Sequence, residues 1–255
     1  MNICFIGSGN ISTNLGIEFK RLKFNINRIC SKNEVTGKKL AKKLNATYSN
    51  LIDIPSNTDL VIIGVPDDQI KKVSKYIKTK AVIHTSGSKN INVLKDCSKN
   101  YGVVWPIQSF SKQNLNFKNI PICIEGNNKV FEKKLNKIFQ KSSNSIFNLD
   151  YETRKIIHLS AVFSCNFLNY LLYISDDLLK TKKIDLSILN PIIYETIRKA
   201  SEGNIISNQT GPAIRKDFKT IEKHLAILSK NRKKEYINIY NLITKIIISS
   251  NENLL

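Results

Sequence analysis

The sequence predicts an α/β domain with a Rossmann-like, mostly parallel sheet over residues 1–149, followed by an all-helical domain over residues 150–255. Three observations carry that prediction. Up to about residue 149, short β-branched runs alternate with polar, lysine-rich amphipathic stretches, the habit of βα units around a parallel sheet. The first of these runs, Ile3-Cys4-Phe5-Ile6, passes directly into the glycine turn Gly7-Ser8-Gly9 and then into a stretch carrying Leu15, Phe19 and Leu22 on one helical face. From Asp150 onward the apolar period changes: Ile157, Ala161, Phe163, Phe167, Leu168, Leu171, Leu172, Ile174 and Leu178 recur at three and four.

In chain order the strands expected are Asn2–Ile6, Ile26–Cys30, Leu60–Val65, Ala81–Thr85, Val103–Trp105 and Ile120–Glu125, with weaker signals at Ala46–Tyr48 and Ser145–Asn148. The helical half reads as one long helix over 151–180, then segments over 186–204, 216–229 and 232–249. Pro191 falls in the first turn of its helix or marks a kink.

Composition narrows the function classes. With 255 residues, 42% of them hydrophobic, the chain is long enough for one large core or two smaller ones. The apolar runs Leu60–Val65 and Ile246–Ile248 are far short of the roughly 20 residues a spanning helix needs, so no membrane partner is expected. Five scattered cysteines (Cys4, Cys30, Cys97, Cys123, Cys165) form no CxxC pair and suggest neither zinc nor a disulfide framework. No targeting segment is read before the first strand, and a cytoplasmic protein with reduced thiols is expected. The net charge of +20 raises nucleic acid as a partner. Yet 34 of the 40 basic residues are lysines, mostly in short pairs on helices, with no aromatic interleaving and no helix-turn-helix, so a diffuse solvated excess is the better reading. Such a field still draws in anionic ligands.

The glycine turn has the context of a dinucleotide cradle. Gly7 permits the tight turn, Gly9 lets backbone approach a pyrophosphate, and the N–H groups from Ser8, Asn10 and Ile11 at the next helix start face its charge. Ser12 replaces the third glycine. About 20 residues on, where a carboxylate would hold an adenosine ribose, the chain reads Arg28-Ile29-Cys30-Ser31-Lys32. Ser31 and Lys32 suit a 2′-phosphate, so NADP(H) is favoured over NAD. Two loops follow strands that should open toward the ligand. Val65-Pro66 is expected to flank the cofactor; Ser86 and His84 reach the nicotinamide or substrate, or else Ser86-Gly87-Ser88 caps the next helix.

Gly7-Ser8-Gly9-Asn10, VPDD at 65–68, HTSGS at 84–88, PIQSF at 106–110, HLSAVFSCNF at 158–167 and TGPAIRKD at 210–217 together resemble the family that joins a Rossmann-like domain to a DUF2520 helical domain. The match spans nearly the whole chain. That family is similar to 6-phosphogluconate-dehydrogenase-like reductases, including pyrroline-5-carboxylate and ketopantoate reductases. The resemblance implies NADPH-dependent reduction of a small carboxylate-bearing carbonyl compound, ketopantoate leading, with an imine reductase or an inactive NADP-sensing module as alternatives. Ordinary ketopantoate reductases carry Lys, Asn and Asn at four-residue intervals on the first helix after the nucleotide domain. Here His158, Val162 and Asn166 stand at that spacing, and only Asn166 is kept.

Carbonyl reduction needs a proton donor and a cation for the substrate carboxylate. His158 is the expected donor, with Asn166 two turns on, because imidazole exchanges protons near neutral pH, and Lys155 is the alternative acid. Arg215, one of six arginines, is expected to bind the carboxylate in two bonds, with Thr210 in the same loop, or else to pair with Asp217 or a neighbouring helix. Gln108 and Ser109 line the crevice mouth. His84, His158 and His224 lack metal-ligand spacing, so no metal is expected, and His224 reads as structural. The apolar surplus on 151–180 and Ile243–Ile248 predicts a homodimer through the helical domain.

Overall fold

All eight stretches read as strands join one sheet in the computed structural model, which describes residues 1–110, 115–203, 205–230 and 233–252. They are β1 (Asn2–Ile6), β2 (Asn25–Cys30), β3 (Thr47–Ser49), β4 (Leu60–Ile63), β5 (Val82–His84), β6 (Tyr101–Pro106), β7 (Ile122–Gly126) and β8 (Ile146–Asn148). Their spatial order is β3-β2-β1-β4-β5-β6-β7-β8. Neighbours run parallel except β6 and β7, which pair antiparallel with Val103 opposite Glu125 and Trp105 opposite Cys123. Strand order reverses beside β1, which β2 and β4 flank, and a reversal of this kind opens a crevice at the carboxyl ends of the strands.

Strand residues are apolar on both sides because both faces are covered. Side chains alternate, so Ile3 and Phe5 join one cluster with Leu15 and Phe19 of α1 (Asn10–Arg21), Leu40 and Leu44 of α2 (Glu34–Leu44) and Phe139 of α4 (Lys129–Phe139). Cys4 and Ile6 face the other way, toward Ile70 of α3 (Asp67–Ser74) and Leu94 of a short 3-10 turn. The ring of Phe19 lies 5.4 Å from that of Phe139, and burying each contributes roughly 1.5–3 kcal/mol.

The change of texture at 149/150 coincides with the start of α5 (Tyr151–Ala161), whereas the first compact unit runs on to Val162. The reason is a tether. Asp150 caps α5 by accepting the Thr153 N–H at 2.9 Å, and the wholly buried Arg154 bonds Glu125 of β7 and the Lys89 carbonyl oxygen, the latter at 2.8 Å. The first turns of the helix are thereby part of the sheet's packing.

The helix expected over 151–180 is continuous but changes pitch, through a π-helical stretch Val162–Phe167 into α6 (Leu168–Lys180). By length and composition alone this 30-residue run is apolar enough to cross a membrane, a test that helices of soluble proteins also pass. Uncharged Ser, Cys, Asn and Tyr interrupt it without making the helix polar.

Among its described residues the second unit, Phe163–Leu255, has helices as its only regular elements. It holds α6, α7 (Asn190–Ser201, with Pro191 in its first turn), α8 (Phe218–Lys230) and α9 (Lys234–Glu252). Asn204 and Arg232, end residues of two expected helices, lie outside the described residues. Asp177 accepts the Tyr236 hydroxyl at 2.9 Å and the Lys233 ammonium at 2.9 Å, and His224 Nδ1 meets the Tyr240 hydroxyl at 2.8 Å, giving His224 the structural part expected of it. Among its described residues only Ala213, Ile221, Leu228 and Tyr236 are apolar and buried. Phe163, Phe167, Tyr170, Leu171 and Tyr173 are exposed.

Candidate functional site

β1 delivers Gly7 at φ +106°, where side chains are disfavoured, and a Cβ there would stand 2.5 Å from the Gly64 carbonyl oxygen. The Gly7 N–H donates to the Cys30 carbonyl at 2.8 Å, which ties the turn to the end of β2. Ser12 packs where a third glycine is usual because β4 supplies Gly64: a Cβ on Gly64 would collide with Ser12 Oγ. Gly9 caps α1 with no side-chain bond, no acidic residue follows in the first turn, and nothing lies within 4 Å of where its Cβ would be. The N–H groups of Asn10 and Ile11 and the positive helix end therefore border open space, the cradle a pyrophosphate needs. The residues fit a dinucleotide. Asn10 is fixed by donating from Nδ2 to the Phe110 carbonyl at 2.9 Å.

At the end of β2 the structure adds a residue the sequence reading missed. Ser8 Oγ lies 2.8 Å from Ser31 Oγ and 2.6 Å from Thr36 Oγ1, so three hydroxyls from three elements converge. Thr36 sits in the first turn of α2, its N–H held by the Asn33 side chain at 3.0 Å. Glu34, the one carboxylate in that turn, pairs with Lys38 at 2.5 Å, and the Lys38 hydrogen bond holds it below the usual carboxylate range. Lys32 is exposed beside this cluster. Thr36 stands five residues after Ser31, the residue that follows β2, and nothing in the local pattern ties it to Ser8.

The loops after β4 and β5 are clamped to each other. Val65 packs against Gly7, exposed Pro66 precedes α3, and Asp67 accepts the Ser86 hydroxyl at 2.7 Å and also that of Ser88. Ser86 thus braces the crevice loop; the short turn that follows is capped by Asn90, accepting the Asn92 N–H at 2.9 Å. His84 is wholly buried, so the expectation that it contacts substrate is corrected: its Nδ1 accepts the Ser86 N–H at 3.2 Å and it shapes the loop from beneath. Burial, then the nearby Arg154 charge, pushes its pKa down to about 3, keeping the ring neutral.

Gly87 lies against the face of Trp105; a Cβ there would come 2.6 Å from the indole. The Trp105 ring in turn stands 5.7 Å from that of His158, tilted by 45°. Half-buried His158 is thereby beside the loop after β5. Lys155 points elsewhere, bonded to Glu152 at 2.7 Å, which raises its pKa and makes it the poorer acid. Gln108 is exposed and its Oε1 accepts the Ser109 N–H at 2.9 Å. Asn166, in the π-helical stretch, and Thr210 and Arg215, in the loop 210–217, belong to the second unit and are exposed there. Asp217 caps α8, taking the Thr220 N–H at 3.1 Å and hydroxyl at 2.7 Å. Among the described residues no three His, Cys, Asp or Glu side chains could hold a metal.

A Rossmann-like model matches residues 1–107, and the model of DUF2520, a domain of unknown function, matches residues 120–247. A solved structure from Bacteroides fragilis, described as a candidate NADP oxidoreductase, is 33% identical across 97% of this chain and 98% of its own, with a TM-score of 0.91. The chain belongs to the DUF2520 family. Within its fold neighbourhood, this DUF2520 protein is similar at 16% identity to pyrroline-5-carboxylate reductase from Streptococcus pyogenes, covering 99% of this chain and 98% of that one with a TM-score of 0.62. It is similar at 9% to a reductive aminase from Aspergillus terreus solved with NADPH, covering 98% and 94% with a TM-score of 0.72. These two likenesses show the fold alone. No curated protein matches the sequence.

Proposed function

We propose that this protein is a cytoplasmic, NADPH-dependent reductase of a small carboxylate-bearing carbonyl compound, with ketopantoate its first substrate. The observation that carries the cofactor is the uncapped start of α1 over Gly9, joined at the end of β2 by the Ser8, Ser31 and Thr36 hydroxyls. Gly7 to Ile11 would hold the pyrophosphate, Ser31, Thr36 and Lys32 the 2′-phosphate, and Val65, Pro66 and Ser86 would flank the nicotinamide. When bound, the cofactor supplies a hydride. His158 would give its proton to the developing alkoxide oxygen, Arg215, with Thr210, would hold the substrate carboxylate, and Asn166 and Gln108 would supply polar contacts. The clamp of Asp67 on Ser86 and Ser88 keeps the crevice loops in place. The candidate NADP oxidoreductase from Bacteroides fragilis supports this cofactor.

Purified protein is expected to oxidise NADPH with ketopantoate, followed by absorbance. His158→Ala should lower kcat by roughly 10²–10⁴, the usual worth of a general acid. Arg215→Ala should act chiefly on the substrate's KM. Pyrroline-5-carboxylate assayed in parallel separates the imine-reductase reading, which the whole-length fold likeness to that reductase favours. NADPH binding without turnover on either would make the protein a sensing module.

The partner we propose is a second copy. α6 and α7 bury none of their residues, and a helical unit with four buried apolar side chains among its described residues has too little core of its own. Light scattering is expected to give twice the chain mass; a monomer at micromolar concentration refutes it.

A further inference from the structure

The strands β5, β6 and β7 place His84, Val103 and Glu125 in one row across the sheet, with Trp105 and Cys123 one step along on the same face. α5 lies over that face, and two of its residues four apart, Arg154 and His158, share one helical side. Arg154 has 0% exposure, and its guanidinium bonds a β7 carboxylate and, at 2.8 Å, a carbonyl of the loop after β5. One turn further on, His158 meets Trp105, whose indole packs on Gly87 of that same loop. We propose that Arg154 is a positioning residue: its two-ended bond to Glu125 and Lys89 sets the rotation and height of α5, and this holds the His158 imidazole against Trp105. The inference deepens the reading of His158 as proton donor and rests on that reading for its consequence in catalysis, but the placement itself does not.

Desolvation makes such an anchor exacting. A buried guanidinium must keep its partners, and Arg satisfies two at once from a planar fork, which Lys, a single point charge, does not. The charged and titratable groups that act on the Arg154 charge are Glu125 and Cys123 on β7 and Tyr151 and Asp150 at the start of α5, and Arg154 acts in turn on His84 of β5.

Trp105 is the only tryptophan in the chain, so its emission reports this contact directly. Imidazolium quenches indole on contact, and neutral imidazole does so far less. At one fixed pH, Trp105 emission of the wild type is expected to lie below that of His158→Gln, and this quenching step measures the contact. Arg154→Lys and Glu125→Gln should each shrink the step by half or more and lower kcat at least tenfold, with KM for NADPH unchanged. Arg154→Met combined with Glu125→Leu keeps the volume without the charges, and guards against simple unfolding. If that folded double variant, or either single one, keeps the full quenching step, the proposal is overturned. If the step shrinks while the wild type reduces no carbonyl or imine, the positioning stands and only the reading of His158 as proton donor falls.

Discussion

Gly9→Ala is expected to leave the thermal midpoint of the protein within about 2 °C of the wild type and to weaken NADPH binding at least tenfold, about 1.4 kcal/mol. Gly9 has φ −73° and ψ −174°, a conformation any residue adopts, and its added methyl meets no atom of the chain. It would occupy the space into which the N–H groups of α1 open. Gly7→Ala should behave differently, because φ +106° costs a side chain roughly 1–2 kcal/mol and its Cβ presses on the Gly64 carbonyl. Both stability and binding should drop, by several degrees and at least a hundredfold. Calorimetric unfolding together with titration of NADPH fluorescence separates the two. Unchanged affinity in Gly9→Ala would remove the phosphate cradle from this turn.

Glu125→Ala is the substitution expected to cost the fold most. It leaves the Arg154 guanidinium buried with its carboxylate gone, and removing one partner of a buried pair typically costs 3–5 kcal/mol. Glu125 retains 19% exposure, so water can enter and the lower end applies, about 3 kcal/mol. For a chain of this size that lowers the thermal midpoint by roughly 6–12 °C. Burial acts on both partners in the expected sense, raising the Glu125 pKa and lowering that of Arg154. A thermal melt that moves by less than 2 °C would mean that the pair is solvated and holds nothing.

Much of this was legible beforehand because it is written in local pattern. Each strand in the first half is a β-branched run bounded by turn residues, including the weak Ala46–Tyr48 and Ser145–Asn148, which appear as β3 and β8. The glycine turn was legible for the same reason: a left-handed φ at Gly7 and a bare helix start at Gly9 are demands on single residues. Thr36 was not, since a lone threonine in a lysine-rich helix carries no sign of the serine 28 residues before it. His84 was misjudged because a histidine at a strand end looks like a crevice residue until Arg154 and α5 are laid over it.

The sequence by itself determined where the strands lie along the chain, the switch to helical period at Asp150 and the glycine turn, since each depends on periodicity and backbone conformation within a few residues. Only the tertiary structure decided that β7 runs antiparallel to β6, which puts Glu125 beside Val103 and in reach of Arg154, and that the loops after β4 and β5 are clamped through Asp67. It likewise decided that Trp105 lies between Gly87 and His158. Contacts spanning 19 to 65 residues of chain, such as Ser86 with Asp67 and Arg154 with Lys89, leave no periodic trace, because chain closure brings those groups together only when the whole sheet has formed.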